Sequence, residues 1–174
     1  MKLLKPKILF ALTTILLICA SLLFLFLYEQ SPFKKVDDPL EVKSMNVVRK
    51  LLIATEASPF KDSINAQLLD HYKSSRVLVE IIDVRDLGNA DAANYDAILI
   101  LHRWEAGAPI DIVQSFMEKN LESNNKIVML TTSWNGLEKM ENIDAITGAS
   151  IIKDVPNFTA KITKRLDGLF KYKK

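Results

Sequence analysis

Residues 8–28 form an uninterrupted stretch without a charged side chain, and three lysines precede it. As a helix that rises about 1.5 Å per residue, the stretch would be about 31 Å long, close to the ~30 Å hydrocarbon thickness of a bilayer. It is also longer than the apolar core of about 7–15 residues that is usual in a cleaved signal peptide. We therefore expect residues 1–7 to be a basic head and residues 8–28 to be an uncleaved transmembrane anchor in the lipid bilayer.

The charges that flank the anchor give a weak signal for its orientation, because lysines are about equally frequent on its two sides. We expect the short head to stay in the cytoplasm, which makes the C-terminal domain extracytoplasmic. Residues 29–45 contain two prolines and several charges and therefore predict a stalk. Residues 46–174 are long enough for one domain with a core. A cleaved signal peptide is the alternative to the anchor.

Composition excludes several classes of function. The chain has 23 basic and 21 acidic residues, and without the basic head the two are nearly balanced. Nucleic-acid binding is therefore not expected, since it requires a basic surface. The chain has two histidines and one cysteine, so we also expect no metal site. The sequence contains neither a Ser–His–Asp order nor a glycine-rich nucleotide motif, and enzymatic activity stays open.

Short apolar runs indicate the fold class. Runs that are rich in Val, Ile and Leu predict strands buried on both faces of a parallel sheet, and helical periodicity occurs between them. The strand runs are 47–54, 77–84, 97–101 and 127–131, and the helical stretches are 62–73, 109–119 and 158–170. This order predicts an open α/β sheet, whose ligands bind beyond the carboxyl ends of the strands.

The loops after these strands contain the candidate ligand-binding residues. Ser58, Ser63 and Asn65 lie where the first strand gives way to a helix, and free N–H groups at a helix start can bind phosphate. Capping of the helix is the other interpretation of these residues. Trp104 follows the third strand and Trp134 follows the fourth. Two indole rings at one sheet edge suit a planar ligand, or each ring covers the core under its loop.

These features resemble the flavodoxin-like fold, and within it the flavodoxins and the quinone or azo reductases that bind FMN. The resemblance rests on Ser58-Pro59 with Ser63 and on residues 82–87, 95–116 and 126–132. It implies an open parallel sheet of strand order 2-1-3-4-5 with flanking helices. It also implies an FMN site in which the three loop residues Ser58, Ser63 and Asn65 bind the phosphate. The phosphate loop is degenerate, because it lacks the glycines found in flavodoxins.

The same resemblance assigns roles at the flavin ring. Trp104 and Trp134 would flank the ring, and Thr132 would contact it. A second resemblance covers only residues 144–150, which are similar to the segment on which periplasmic flavin transferases attach FMN, and it implies a covalent flavin at Ser150. The sequence thus predicts a membrane-anchored FMN protein of electron transfer or quinone reduction. The alternatives are a non-catalytic interaction module that has lost flavin binding and a carrier of covalent FMN.

Overall fold

The computed structural model describes residues 6–29, 40–42, 49–140, 143 and 145–172. The chain divides into two compact units, Met1–Pro32 and Phe33–Lys174. The first unit contains helix α1, Pro6–Glu29. Among the described residues, no helix is both long enough and apolar enough to cross a membrane. The anchor, its orientation and the domain boundaries stay predictions.

The described residues of the second unit form one sheet of seven strands. The strands are β1 (Leu40–Val42), β2 (Arg49–Thr55), β3 (Val77–Asp83), β4 (Ala97–Glu105), β5 (Ala108–Pro109), β6 (Ile127–Thr132) and β7 (Ala145–Gly148). Their order across the sheet is β1-β3-β2-β4-β6-β7, and β5 pairs with β4. The pairs among β3, β2, β4, β6 and β7 are parallel, whereas β1 and β5 pair antiparallel to their neighbours. The predicted parallel α/β sheet is confirmed.

The strand order differs in part from the predicted 2-1-3-4-5, because two short strands were not predicted. Counted from β2, the order is 2-1-3-5-6, since β5 takes the fourth place along the chain. β5 exists because Ala106 and Gly107 have φ angles of 46° and 84°, and positive φ at both central residues is typical of a tight hairpin turn. The third predicted strand, 97–101, is therefore longer than expected, and Trp104 lies in a hairpin at its end. The other addition, β1, lies within the predicted stalk and pairs with β3.

Helices cover both faces of the sheet, as predicted. They are α2 (Pro59–Tyr72), α3 (Asp111–Lys119) and α4 (Val155–Tyr172). Apolar side chains of α2 and α4 pack in one cluster with alternate residues of β2 and β4, and α3 packs in the cluster of the opposite face. Since both faces are covered, the central strands are continuously apolar. The helices begin elsewhere than predicted: α2 and α4 begin three residues before the stretches 62–73 and 158–170, and α3 begins at Asp111 because Pro109 lies in β5.

Candidate functional site

Charged side chains crowd the carboxyl ends of the first three long strands. Glu56 directly follows β2, Asp83 ends β3, and Arg103 and Glu105 belong to the end of β4. β2 lies between β3 and β4, so this edge is the switch point at which open α/β sheets bind ligands. A cavity of about 260 Å³ lies here. Its lining residues are Glu56, Asp83, Val84, Arg85, Arg103, Glu105, Ile110, Asp111 and Ile112.

A buried ion pair lies at the centre of this edge. The Lys61 Nζ atom is 2.7 Å from Oε2 of Glu56, and their side chains are only 2% and 9% exposed. The backbone N–H of Arg103 donates to Oε1 of Glu56 at 3.3 Å, and its guanidinium lies 3.6 Å from Oε2. Burial lowers the pKa of Lys61, and the charge of Glu56 opposes that shift. The Glu56 carboxylate therefore connects α2 to β4 in the protein interior.

The remaining charges of the cavity leave it with an excess of carboxylates. Asp83 is buried and accepts three hydrogen bonds of 2.8 Å from Arg85, one from the backbone and two from the guanidinium. Arg103 also pairs with Glu105. Four carboxylates and two guanidiniums line the cavity. Because like charges repel across a partly buried site, a dianionic phosphate is disfavoured here.

Two of the three predicted phosphate-binding residues make hydrogen bonds within the first turns of α2. Ser58 is its N-cap and accepts a hydrogen bond from the Lys61 N–H at 3.2 Å, while Ser63 donates to the carbonyl of Pro59 at 2.7 Å. Asn65 is buried, and its Oδ1 atom has no hydrogen-bond partner. The capping interpretation thus accounts for Ser58. The Glu56–Lys61 pair lies beside this loop, and Asp62 is in the first turn of α2; phosphate binding stays a prediction.

The two tryptophans share the carboxyl edge but differ in surroundings. Trp104 is half-buried in the β4–β5 hairpin, where it lies opposite Pro109. Thr132 ends β6, is buried, and donates a hydrogen bond to the carbonyl of His102 at 3.3 Å. Trp134 follows two residues later with its side chain fully exposed, at 101%. Trp134 therefore does not cover the core. Ser150, the predicted covalent site, is exposed just after β7.

The loop that carries Trp134 is held in shape by its own side chains. We call residues 133–138 the Trp134 loop. The Ser133 hydroxyl donates to Asn135 Oδ1 at 2.9 Å and accepts from the Gly136 N–H at 3.0 Å. Asn135 Oδ1 also accepts from the Leu137 N–H at 2.9 Å, and its amide donates to Glu138 at 2.9 Å. These bonds fix the backbone on both sides of Trp134.

The Trp134 loop also lies against the end of β7. The N–H of Ser133 donates to the carbonyl of Gly148 at 3.1 Å. Gly136 has a φ of +71°, and a Cβ atom at this position would be 2.8 Å from the backbone nitrogen of Ala149. Large apolar side chains are exposed here, both on the loop and after β7: Trp134, Leu137, Ile151 and Ile152.

His102 forms hydrogen bonds within the protein interior beside the site. It is fully buried, with Nδ1 2.9 Å from the carbonyl oxygen of Arg103 and Nε2 2.9 Å from the hydroxyl of Thr131. Because a carbonyl only accepts, Nδ1 carries the proton and Nε2 accepts from Thr131. Burial lowers the pKa of His102 to about 4. The neutral ring fastens β4 to β6 beside the site.

Sequence reasoning missed the residues that give the edge its charge, Glu56, Lys61 and Asp83. By sequence alone, we expect solvent exposure for a charged residue at the end of a strand, and equally for a lysine in the first turn of a helix. Glu56 is buried in contact with Arg103 of β4, a distant segment of the chain, and no local pattern encodes such a contact. Among the described residues, no group of three or more His, Cys, Asp or Glu side chains is placed to hold a metal ion.

Neither a protein-family model nor a curated protein matches this chain. The parallel sheet with helices on both faces is compatible with a flavodoxin-like fold. Fold alone does not assign a function, since one fold supports many. The function is therefore inferred from the geometry of the carboxyl edge.

Proposed function

We propose that the second unit is a flavodoxin-like interaction module, held at a membrane by residues 8–28, that works without a flavin. In this proposal it binds a protein partner through the carboxyl edge of its sheet. The observation that supports it most is the fully exposed Trp134, carried by a loop whose backbone is already fixed.

An exposed tryptophan on a fixed loop suits protein recognition. Tryptophan is enriched among the few interface residues that contribute most of the binding free energy. Ordering a flexible side chain or loop on binding costs about 0.5–1.5 kcal/mol per side chain. The hydrogen bonds of Ser133 and Asn135 reduce that cost, because the loop is ordered before binding. Leu137 on the same loop, and Ile151 and Ile152 after β7, are further exposed apolar residues.

The charges of the same edge favour a protein over a membrane surface as the occupant. Cytoplasmic and bacterial lipid surfaces are anionic and attract clusters of Lys and Arg. The neighbouring cavity instead has more carboxylates than guanidiniums. A protein with an apolar socket for Trp134 and basic side chains at its rim matches both features.

The flavin functions are the alternative to this proposal. Electron transfer or quinone reduction with FMN requires a phosphate subsite, and the hydroxyls of Ser58 and Ser63 are already bonded within α2. Covalent attachment of FMN at Ser150 requires an accessible hydroxyl, and Ser150 is exposed. Both functions stay predictions.

Site-specific photo-crosslinking tests the proposal. A photoreactive phenylalanine analogue replaces Trp134 in the full chain expressed in its native host, and the same analogue replaces Leu121 as the control. Leu121 is also an exposed apolar residue, 66% exposed, but it precedes β6 at the opposite edge of the sheet. We expect one protein adduct of defined mass from position 134 and none from position 121. Equal adducts from both positions, or adducts to lipid alone, would contradict the proposal.

A further inference from the structure

A second cavity, of about 710 Å³, lies at the amino edge of the sheet, away from the charged site. Ile127 and Val128, which begin β6, form part of its wall. The C-terminal half of α4 and the 3-10 helix Leu121–Lys126 enclose it from two sides. Its volume falls within the roughly 300–1,000 Å³ that is usual for small-molecule sites.

The wall of this cavity combines apolar and basic side chains. The apolar residues are Met117, Ile127, Val128, Ile143 and Leu169. The basic residues are Lys161, Lys164 and Arg165, which share one side of α4 because they are three and four positions apart. Among the described residues that line the cavity, none is acidic. The described part of the wall is therefore apolar, with the exposed lysines Lys161 and Lys164 beside it.

Two further details indicate a site for a ligand. Asn124 lies in the wall, and its buried Oδ1 atom has no hydrogen-bond partner, which is costly unless a ligand supplies a donor. Gly168 also lines the cavity, and a Cβ atom added there would meet nothing within 4 Å. A glycine inside an exposed helix costs stability relative to alanine. At position 168 an alanine would therefore leave the cavity open, whereas a large side chain would extend into it.

We propose that this cavity binds an anionic amphiphile, a molecule with an apolar chain or ring and a carboxylate or phosphate group. The apolar part occupies the space beside Val128 and Leu169, and the anionic group lies near the ammonium groups of Lys161 and Lys164. A hydroxyl or amide N–H of the ligand donates to Asn124 Oδ1. Lys161 and Lys164 are both exposed, and a lysine chain can cover apolar surface while its charge stays in water. This site is independent of the protein-docking function proposed above.

Photolabelling tests the site in the full chain. The protein is reconstituted in nanodiscs of phosphatidylcholine and labelled with a decanoate analogue that carries a diazirine on its chain. We expect labels in peptides that contain residues 124–128 and 161–169, and we expect unlabelled decanoate to compete for them. A decyl chain with a trimethylammonium group should compete at least 10-fold less well, because the rim is cationic. Labels spread over the surface, or equal competition by the cation, would overturn the proposal.

Matched substitutions at Gly168 distinguish an effect of filling the cavity from an effect on folding. Gly168→Phe fills the open space and should reduce labelling at least 10-fold, whereas Gly168→Ala should keep at least half of it. The double variant Lys161→Gln with Lys164→Gln should weaken competition by decanoate about 10-fold. It tests the site independently if Gly168→Phe does not fold, because glutamine adds no bulk to the cavity. Unchanged labelling in both the folded Gly168→Phe variant and the double lysine variant would refute the site.

The lipid composition of the nanodisc distinguishes two sources of the ligand. Adding phosphatidylglycerol suppresses the labelling about 10-fold when an anionic membrane lipid occupies the cavity. It leaves the labelling unchanged when the occupant is a soluble amphiphile. Either result supports an anionic amphiphile and identifies its source.

Discussion

Removing the charge of Glu56 should destabilise the second unit strongly. Glu56→Gln keeps the shape of the side chain but leaves the ammonium of Lys61 buried without its counter-ion, with Lys61 only 1% exposed. Breaking a buried pair by removing one partner costs about 3–5 kcal/mol, because the other charge stays buried. For a domain of this size that corresponds to a fall of about 10–20 °C in the melting temperature.

The same reasoning predicts that a second substitution repairs the first. In Glu56→Gln with Lys61→Met, both charges are absent, and an apolar chain of similar length fills the space of Lys61. Replacing both members of a buried pair is often neutral or stabilising. We therefore expect the double variant to regain most of the lost free energy of unfolding. The coupling between the two positions should be at least about 2 kcal/mol in a double-mutant cycle.

The loss in Glu56→Gln should also depend on pH. Burial lowers the pKa of Lys61 below its ordinary 10.5, and removal of Glu56 takes away the charge that opposes this shift. Above the lowered pKa and below 10.5, the unfolded state binds the proton and the folded state does not, so stability rises with pH. The difference in the free energy of unfolding between the unsubstituted protein and Glu56→Gln is therefore largest at neutral pH, and it decreases as the pH approaches 10.5.

Urea unfolding of residues 33–174, followed by circular dichroism, measures these free energies for the four proteins of the cycle. Lys73→Gln serves as a control, because the Lys73–Asp70 pair is exposed and should contribute less than about 1 kcal/mol. A decrease below about 1 kcal/mol in the free energy of unfolding of Glu56→Gln would refute a buried, coupled pair. A double variant as unstable as Glu56→Gln alone would refute it as well.

Further predictions concern residues around the same edge. The free energy of unfolding should fall by about 3 kcal/mol as the pH decreases from 6.5 to 4. His102, with a pKa of about 4, stays neutral in the folded state over this range but is protonated in the unfolded state. His102→Gln should remove this pH dependence in acid unfolding curves. Gly136→Ala should cost about 2–3 kcal/mol in urea unfolding, since φ is +71° and the new Cβ meets the Ala149 backbone at 2.8 Å. Gly107→Ala, with φ of +84° and open space, should cost only about 1 kcal/mol, and equal losses at both glycines would contradict the packing of the Trp134 loop on β7. Trp134→Phe should remove most of the tryptophan fluorescence that acrylamide quenches, because the other indole, Trp104, is half-buried; retention of that component would place Trp134 in the interior.

Much of the fold follows from the sequence because the central strands are buried on both faces. Continuous runs such as Leu51–Ala54 and Ala97–Leu101 need helices on each side, and amphipathic stretches of the right length lie between the strands. The β4–β5 hairpin could not be predicted in this way. Its turn places Ala106, a residue that rarely adopts positive φ, in the left-handed region.

The candidate site was less predictable than the fold. The order of strands along the chain predicted that Trp104, Thr132 and Trp134 lie at one edge of the sheet. In the structure they follow or end the neighbouring parallel strands β4 and β6 at that edge. The sequence did not indicate that Lys61 and Glu56 turn inward beside Ser58, since their burial arises from contacts between distant segments. Nor did it show that Ser133 and Asn135 would fix the loop that exposes Trp134.

Titration of the full chain with FMN tests most directly whether this edge works without a flavin. The protein, purified in nanodiscs, is examined by its visible absorption spectrum before and after acid precipitation, and flavin fluorescence is then followed as FMN is added. We predict a colourless protein and no saturable change in fluorescence. The reason is that Lys61 is already paired with Glu56, and the Ser58 hydroxyl already accepts the N–H group of Lys61, so these groups are not available to a phosphate. Saturable binding of FMN that weakens in Ser58→Ala, or yellow colour retained in the acid pellet and lost in Ser150→Ala, would contradict the account.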